Sequence, residues 1–509
     1  MVVARSIHRL AVVVVTDMDM WAFLQHLFRR GPDSPVGRPL LPAAELSYEM
    51  ARVTRPLDGW LTAAASASAA TSRDLTRLQQ RARDLAENDP YCARAIAEWT
   101  AAIVGDGITV AARTDDASAN ARARDAWSIW SAECDLEGAG RPWLALQRLA
   151  VATMIRDGEV LVRRVVDSSP IRGHVPLRLA VLECDRLSRY ASPVSGSGGQ
   201  VIDGVEYDAR GRRVAYHIRA YHPGGSDPGA PSPARATERV PAGEIIHLFD
   251  TSRPGAVRGV PWAAPVGVRH RLLADYEEAE LTRKRTESLV VGIARSSAPG
   301  ASQLLGPTVS RSEVQSDGTT VSRQVADLEP GMIVSATETE GIEWLQPTSI
   351  GGYDANIRQD LRAIAAGWRL PYELLTGDMS SVNFSSARFG LQGFRRLTRQ
   401  IQEQVVIPIL CARVWQWWVD LAELSGVLPR RSAGWPARWS PPLLEEVDRL
   451  RDAQAAAAEI RSGLATLGQS LERRGLDLDE QIGEMAAERS ALAAAGVELD
   501  SISAPVSAE

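Results

Sequence analysis

PYELLTGDMSSVNFSSARFG, residues 371–390, is the stretch on which the rest of the chain turns. It gathers Ser380, Ser381, Asn383, Ser385 and Ser386 between two runs of helical period. Upstream, GYDANIRQDLRAIAAGW (352–368) reads as a helix. Downstream, Phe384, Ala387, Leu391, Phe394, Leu397, Ile401 and Val405 keep 3 and 4 spacing, the stripe of an amphipathic helix. Pro408 is expected to kink that helix rather than end it, because the apolar pattern resumes in ILCARVWQWWVDLAEL. Between them Gly377-Asp378 turns the chain, and Asn383 or Ser385 can cap the helix that carries Arg388. A connection of roughly 14 residues is long for two helices, and long connections tend to carry function. The serines make poor nucleophiles, since the chain has no histidine beyond His270.

Moving outward toward the N-terminus, Leu75, Leu78, Ala82 and Leu85 give a first helix that Asn88-Asp89-Pro90 stops. Residues 91–104, 119–133 and 142–156 give three more, with a short strand at 108–112. The period then changes to two. Residues 160–166, 177–183, 201–208, 214–221 and 244–250 are β-branched runs parted by turn residues, expected to form one sheet. The stretches 191–199 and 222–237 are Gly/Ser/Pro-rich excursions from it. A long helix of about 25 residues is expected from Pro261, with Glu280 pairing Lys284 along it. Residues 289–347 lose the helical pattern and read as a small α+β insertion with strands at MIVSA and IEWLQ. The tail from Pro441 is helical, with a hairpin broken around Gly468 and Gly475.

At 509 residues the chain is long enough for two to four packed units. Its 57 Lys+Arg against 63 Asp+Glu leave a formal net charge of −6, so contact with nucleic acid cannot rest on global attraction to phosphate. Cys92, Cys134, Cys184 and Cys411 lie far apart, which argues for buried single thiols rather than a zinc cluster or a disulfide framework. Leu10–Val15, after Arg5, His8 and Arg9, imitates a signal peptide but is short and followed by Asp17 and Asp19. Residues 1–17 are expected to be a misassigned leader ahead of Met18 or Met20, and 31–70 an arm. No other run is expected to approach the roughly 18 unbroken apolar residues of a membrane helix, so a soluble protein is expected.

No G-x-x-x-x-G-K-[ST], G-x-S-x-G or H-E-x-x-H pattern occurs. One enzymatic alternative remains. Asp157 and Glu159 in IRDGEVLVRR, with Glu183 and Asp185 in LECDRL, could converge at strand ends and hold Mg²⁺ for DNA cleavage. Against it, Asp157-Gly158 reads as a plain helix-to-strand turn.

The order GYDA, LRAIAAG, PYELLTGD and VNFSSAR, together with IRDGEVLVRR, GVEYDARGR, RVPAGEIIHLFDTSRPGAVRGVPW and DYEEAEL, resembles the lambda-type portal proteins of tailed bacteriophages over about Arg81–Gly475. The resemblance implies a non-enzymatic virion protein without cofactor or metal. It implies a ring of about twelve subunits at one capsid vertex, passing double-stranded DNA without sequence specificity. The terminase large subunit, a head-tail adaptor and the major capsid and scaffold proteins are the implied partners; a membrane is not. It implies an α+β portal fold: N-terminal arm 1–73, wing 74–260, first stem helix 261–288, clip 289–351, second stem helix 352–371, tunnel loop 372–387, long wing helix 388–428, and crown with C-terminal tail 429–509. Ser380, Ser381, Asn383, Ser385, Ser386 and Arg388 would then line the DNA channel. Arg283, Lys284 and Arg285 would be stem contacts to DNA, unless ordinary salt bridges hold them.

Overall fold

The computed structural model describes residues 64–167, 174–189, 199–224, 237–296, 308–314, 320–326, 332–337, 341–344, 352–380, 384–442, 449–472 and 478–496. The α+β class holds. Among the described residues the first elements are five helices, α1 (Ala67–Ser72), α2 (Leu75–Asn88), α3 (Pro90–Val104), α4 (Ala117–Ala132) and α5 (Trp143–Asp157), with the short strand β1 (Thr109–Ala112) between α3 and α4. Asp89 caps α3 by accepting the Cys92 N–H at 2.7 Å, with Pro90 in the first turn where a missing N–H costs nothing. Asp116 caps α4 through the Ser118 and Ala119 amides. α5 ends on Gly158 at φ +88°, where a Cβ would lie 2.3 Å from the Val260 carbonyl carbon. Only glycine fits there.

The strand region is two sheets rather than the single one expected. β2 (Glu159–Val166) is the centre of an antiparallel triplet with β3 (Leu177–Leu182) and β8 (Ile245–Phe249). β4 (Gln200–Ile202), β5 (Val205–Tyr207), β6 (Arg213–Arg219) and β7 (Thr237–Pro241) form a separate four-stranded sheet. VIDGVEYD is not one strand: Asp203 (φ 49°) and Gly204 (φ 87°) fold it into the β4–β5 hairpin. β1 pairs with β14 (Ala437–Ser440), which joins two segments more than 300 residues apart in the chain.

α6 (Gly267–Leu289) begins six residues later than Pro261 predicts, because residues 262–266 are turns; the Trp262 N–H donates to the Ile155 carbonyl. Beyond it, β9 (Val290–Ser296) lies parallel to β12 (Met332–Thr337) and antiparallel to β13 (Gly341–Trp344), while β10 (Thr308–Val314) and β11 (Thr320–Ala326) form a hairpin. Among the described residues of 290–344 there are strands only, without the helical part expected of that insertion. α7 (Tyr353–Trp368) and the short α8 (Tyr372–Thr376) lead to α9 (Phe384–Ile401).

Pro408 neither ends nor simply kinks the helix. Residues Gln402–Cys411 widen into π-helix and α10 (Ala412–Leu424) continues from them. A wider turn relieves the clash that the proline ring makes with the carbonyl four residues back. The buried Gln402 amide donates to the carbonyls of Ile103 (2.9 Å), Pro442 (3.2 Å) and Ala102 (3.3 Å). By composition Phe389–Leu424 is apolar and long enough to cross a membrane, but 56% of its most apolar window is buried in the protein, as a core helix is. Trp127 brings α4, α5 and α10 together, with ring centroids 4.7 to 6.5 Å from Trp130, Trp415, Trp418 and Trp143. Such aromatic pairs each add about 0.5–1.5 kcal/mol beyond their buried area.

The tail is α11 (Arg449–Arg461), α12 (Leu467–Glu472) and α13 (Leu478–Ala495). The expected break at Gly468 falls elsewhere: Gly463 (φ 73°) follows the end of α11, Gly468 lies inside α12, and Gly475 is outside the described residues. All four cysteines are buried free thiols, and burial pushes Cys92 and Cys134 up to about 12.

Candidate functional site

The stretch from Trp368 to Ser380 is anchored on one side and left open on the other. The Trp368 indole N–H donates to His270 Nε2 at 2.9 Å, and its carbonyl accepts the Trp99 indole N–H at 2.8 Å. An indole nitrogen can only donate, so the His270 proton lies on Nδ1 and goes to Asp89 Oδ1 at 3.0 Å. This chain of bonds runs from the cap of α3 through α6 to the end of α7. The following Arg369, at φ +58°, reverses the backbone into Pro371. Arg94 then holds the Leu374 carbonyl at 2.7 Å, and Leu375 is buried.

Past that anchor the bonds become local. The Asp378 N–H donates to Thr376 Oγ1 (3.1 Å), and its carboxylate accepts the Ser380 N–H (3.0 Å) and the Tyr372 hydroxyl (3.2 Å). The Ser380 bonds, then Tyr372, hold Asp378 below the usual carboxylate range. Asp378 is the organising residue that sequence reading treated only as part of a turn; the Asp-x-Ser spacing of an Asx turn is its signal. Ser380 and the neighbouring Met379 are exposed. Ser381 and Asn383 lie outside the described residues. Ser385, Ser386 and Arg388 fall in the first turns of α9, so Ser385 is the second residue of that helix and not its cap.

Two of the three basic residues of α6 share Glu280. Arg283 makes the closer pair with Glu280 (Nε to Oε2, 2.8 Å), while Lys284 Nζ is 3.9 Å from Glu280 and 4.7 Å from the Tyr353 ring centroid. Arg285 follows on an exposed position.

The four carboxylates of the cleavage alternative do converge, but as a charge network rather than a metal site. Glu159 is fully buried and accepts from Arg258 Nε (2.8 Å) and Nη2 (2.5 Å), the Gly259 N–H (3.0 Å), Gln79 Nε2 (3.1 Å) and His247 Nε2 (2.8 Å). Burial alone would raise its pKa; Arg258 and His247 overcome that and hold it well below the usual range. Burial lowers His247 despite Glu159, so His247 is neutral and its Nε2 donates. Asp157 takes two bonds each from Arg83 and Arg156. Arg83 also bonds Asp185, and Arg156 reaches Glu183 at 3.2 Å.

His222 completes a grouping with Glu183 and Asp185 whose donor atoms lie within 4.8 Å of one another. Its Nδ1 accepts the Gly224 N–H at 3.1 Å, so the ring proton resides on Nε2, which faces Glu183 (3.3 Å) and Asp185 (3.9 Å). The imidazole therefore turns an N–H, not a lone pair, toward the two carboxylates. The structure does not support Asp157, Glu159, Glu183 and Asp185 as a joint set of Mg²⁺ ligands: Arg258 engages Glu159, Arg83 and Arg156 engage Asp157, and the same two arginines reach Asp185 and Glu183.

The model of the family described as phage portal protein, lambda family, matches residues 54–402. A probable portal protein of Halomonas phage phiHAP-1 is 26% identical over 466 residues, covering 88% of this chain and 87% of that protein. Portal protein B of Escherichia phage lambda is 23% identical over 497 residues, 87% of this chain and 88% of that one. Among solved structures, a chain from the neck of a native GTA particle covers 79% of this chain and 94% of its own length, at 16% identity and a TM-score of 0.40. With the match running through α2 to α9, across the anchored loop and the charge network, this chain belongs to the lambda family of phage portal proteins.

Proposed function

We propose that the chain assembles into a closed ring of about twelve copies at one vertex of a phage capsid, the passage for double-stranded DNA during packaging and ejection. The observation that carries this reading is the family match over 54–402. In the ring, 74–260 form the wing, 261–288 and 352–371 the stem, 289–351 the clip, 388–428 the long wing helix and 429–509 the crown. The clip would dock first the terminase large subunit and later the head-tail adaptor, with major capsid and scaffold proteins around the wing. Assembly takes place in the bacterial cytoplasm and the finished ring resides in the virion. Its role is structural and not catalytic.

The tunnel loop, 372–387, faces the duplex. A channel that gripped phosphate strongly could not let DNA slide, and a net charge of −6 with hydroxyl and amide groups at the loop suits weak, transient contact. Ser380, Ser381, Asn383, Ser385 and Ser386 provide it, together with Arg388. Arg283, Lys284 and Arg285 are secondary contacts, because Glu280 already engages the first two. Native mass measurement and negative-stain images down the axis test the reading. Closed rings near twelve chains are expected, and a monomer at every concentration overturns it.

A further inference from the structure

Two helices of the tail carry alternating 3 and 4 spacing of apolar residues. On α11, Leu450, Ala453, Ala457 and Ile460 are 3, 4 and 3 residues apart; on α13, Leu478, Ile482 and Met485 are 4 and 3 apart. Such alternation places a stripe along α11 and along the first two turns of α13, where the same spacing next meets Arg489, as in a short coiled-coil seam. Both stripes are partly open to solvent, with Ala457, Ile460 and Leu478 half-buried. Leu450 is 70% exposed and Ala453 is exposed, while Ile482 is 52% and Met485 40% exposed. The two helices are also unlike in complementary ways. α11 offers small alanines at the centre of its stripe where α13 offers Ile482 and Met485, so large residues of one fit over small residues of the other. By sequence α13 is acidic, with Asp479, Glu480, Glu484 and Glu488 against the single Arg489, whereas α11 is basic, with Arg449, Arg451 and Arg461 against Asp452 and Glu459.

We infer that α13 of one copy packs on α11 of the next, as a head-to-tail seam between neighbouring chains. Opposite net charge favours this pairing over α13 on α13, where two acidic helices would meet; α11, with one more arginine than acid, contributes the attraction. Size gives the same preference, since two copies of α13 would set Ile482 and Met485 against each other and two copies of α11 would leave alanine facing alanine. Two different, mutually fitting surfaces on one chain make a heterologous contact, the kind that propagates around a ring, whereas an identical patch meeting itself closes at a dimer. The inference rests on the ring reading and adds to it which surfaces of the tail join.

Ala453→Cys with Met485→Cys in the full chain, treated with a bismaleimide long enough to span one helical turn, tests it. That reach covers the pair whether the two helices run parallel or antiparallel. The four native thiols are buried, so the introduced pair reacts selectively. A ladder of covalent oligomers reaching the ring size is expected, and an equal mixture of the two single-cysteine proteins should stop at dimers. Rings by native mass that yield only an internal link, or no link, overturn the seam while leaving the ring reading intact. Met485→Cys alone linking to itself would show a self-paired seam and also overturns it. Absence of rings in the untreated protein would sink both.

Discussion

The network around Glu159 and the loop around Asp378 look alike in sequence, each an acidic residue beside a glycine turn with polar neighbours, yet they differ in where their bonds go. Glu159 is held by Gln79, His247, Arg258 and Gly259, partners 80 to 100 residues away in the chain. Among the described residues, the bonds of Asp378 reach Tyr372, Thr376 and Ser380 and go no farther. Long-range bonds to a buried charge staple separate elements into one body. Short-range bonds at an exposed turn give a loop a shape without fixing it to its surroundings. Carboxylate clustering alone therefore does not mark chemistry in this chain; the reach of the bonds and the burial decide.

The sharpest way to break this contrast is Glu159→Gln. It leaves the Arg258 guanidinium buried without its counter-charge, and breaking a buried pair from one side costs about 3–5 kcal/mol. Urea denaturation followed by tryptophan fluorescence should show a loss of that size. Replacing both partners, Glu159→Gln with Arg258→Met, should cost less than the single change, because no orphan charge remains and the amide oxygen still accepts from the buried donors. A single variant as stable as the parent would mean that the network is not the staple proposed.

Proton uptake attacks the same network more gradually. His247 is depressed in the fold, so below its ordinary value of about 6.5 the unfolded chain binds a proton that the fold refuses, and stability begins to fall with pH. Glu159 is also depressed, so its contribution is complete above the ordinary carboxylate value of about 4.3 and drains away as pH drops toward the lower folded value. The urea midpoint should decline from about pH 6.5 and more steeply below about 4.3. The steeper phase should be shallower in Glu159→Gln, where Asp89, Asp185 and Glu206 remain depressed and still lose their contribution. A midpoint that rose on acidification would contradict the assigned charge states.

Sequence alone carried the amphipathic helices well: the stripe through Phe394, Ile401 and Val405 lies buried as its spacing demands, because a helix records its buried face locally. The parts missed depend on distant partners. Nothing near His270 announces that Asp89, 181 residues earlier, and Trp368, 98 residues later, fix its tautomer. Gln79 on α2 reads as a surface residue until Glu159 and the Asp157 carbonyl are placed beside it. The split into two sheets was likewise hidden, since Asp203-Gly204 can interrupt a strand or turn it, and only pairing decides. At the loop, an exposed turn at Ser380 ahead of a long helix was legible, while the part played by Asp378 was not weighed.

The smallest expected effect on stability belongs to Asp378→Ala. Its bonds to Ser380 and Tyr372 are local and lie at an exposed turn, so the stability measured in urea should stay within about 0.5 kcal/mol of the parent. Rings should form as before. What should change is the loop's shape: without the Asx turn, the Ser380 amide loses its acceptor and the segment leading to α9 loses its preferred conformation. In a packaging assay, heads built with the variant should retain less DNA than those built with the parent, by a factor of about two or more, an effect larger than so mild a change in stability can produce. Glu159→Gln offers the opposite pairing, with large destabilisation and, in those rings that do assemble at low temperature, DNA retention like the parent's. If Asp378→Ala heads fill and hold DNA normally, the local bonds of the loop have no bearing on the duplex, and the distinction between a staple and a working surface would have to be drawn elsewhere in the chain.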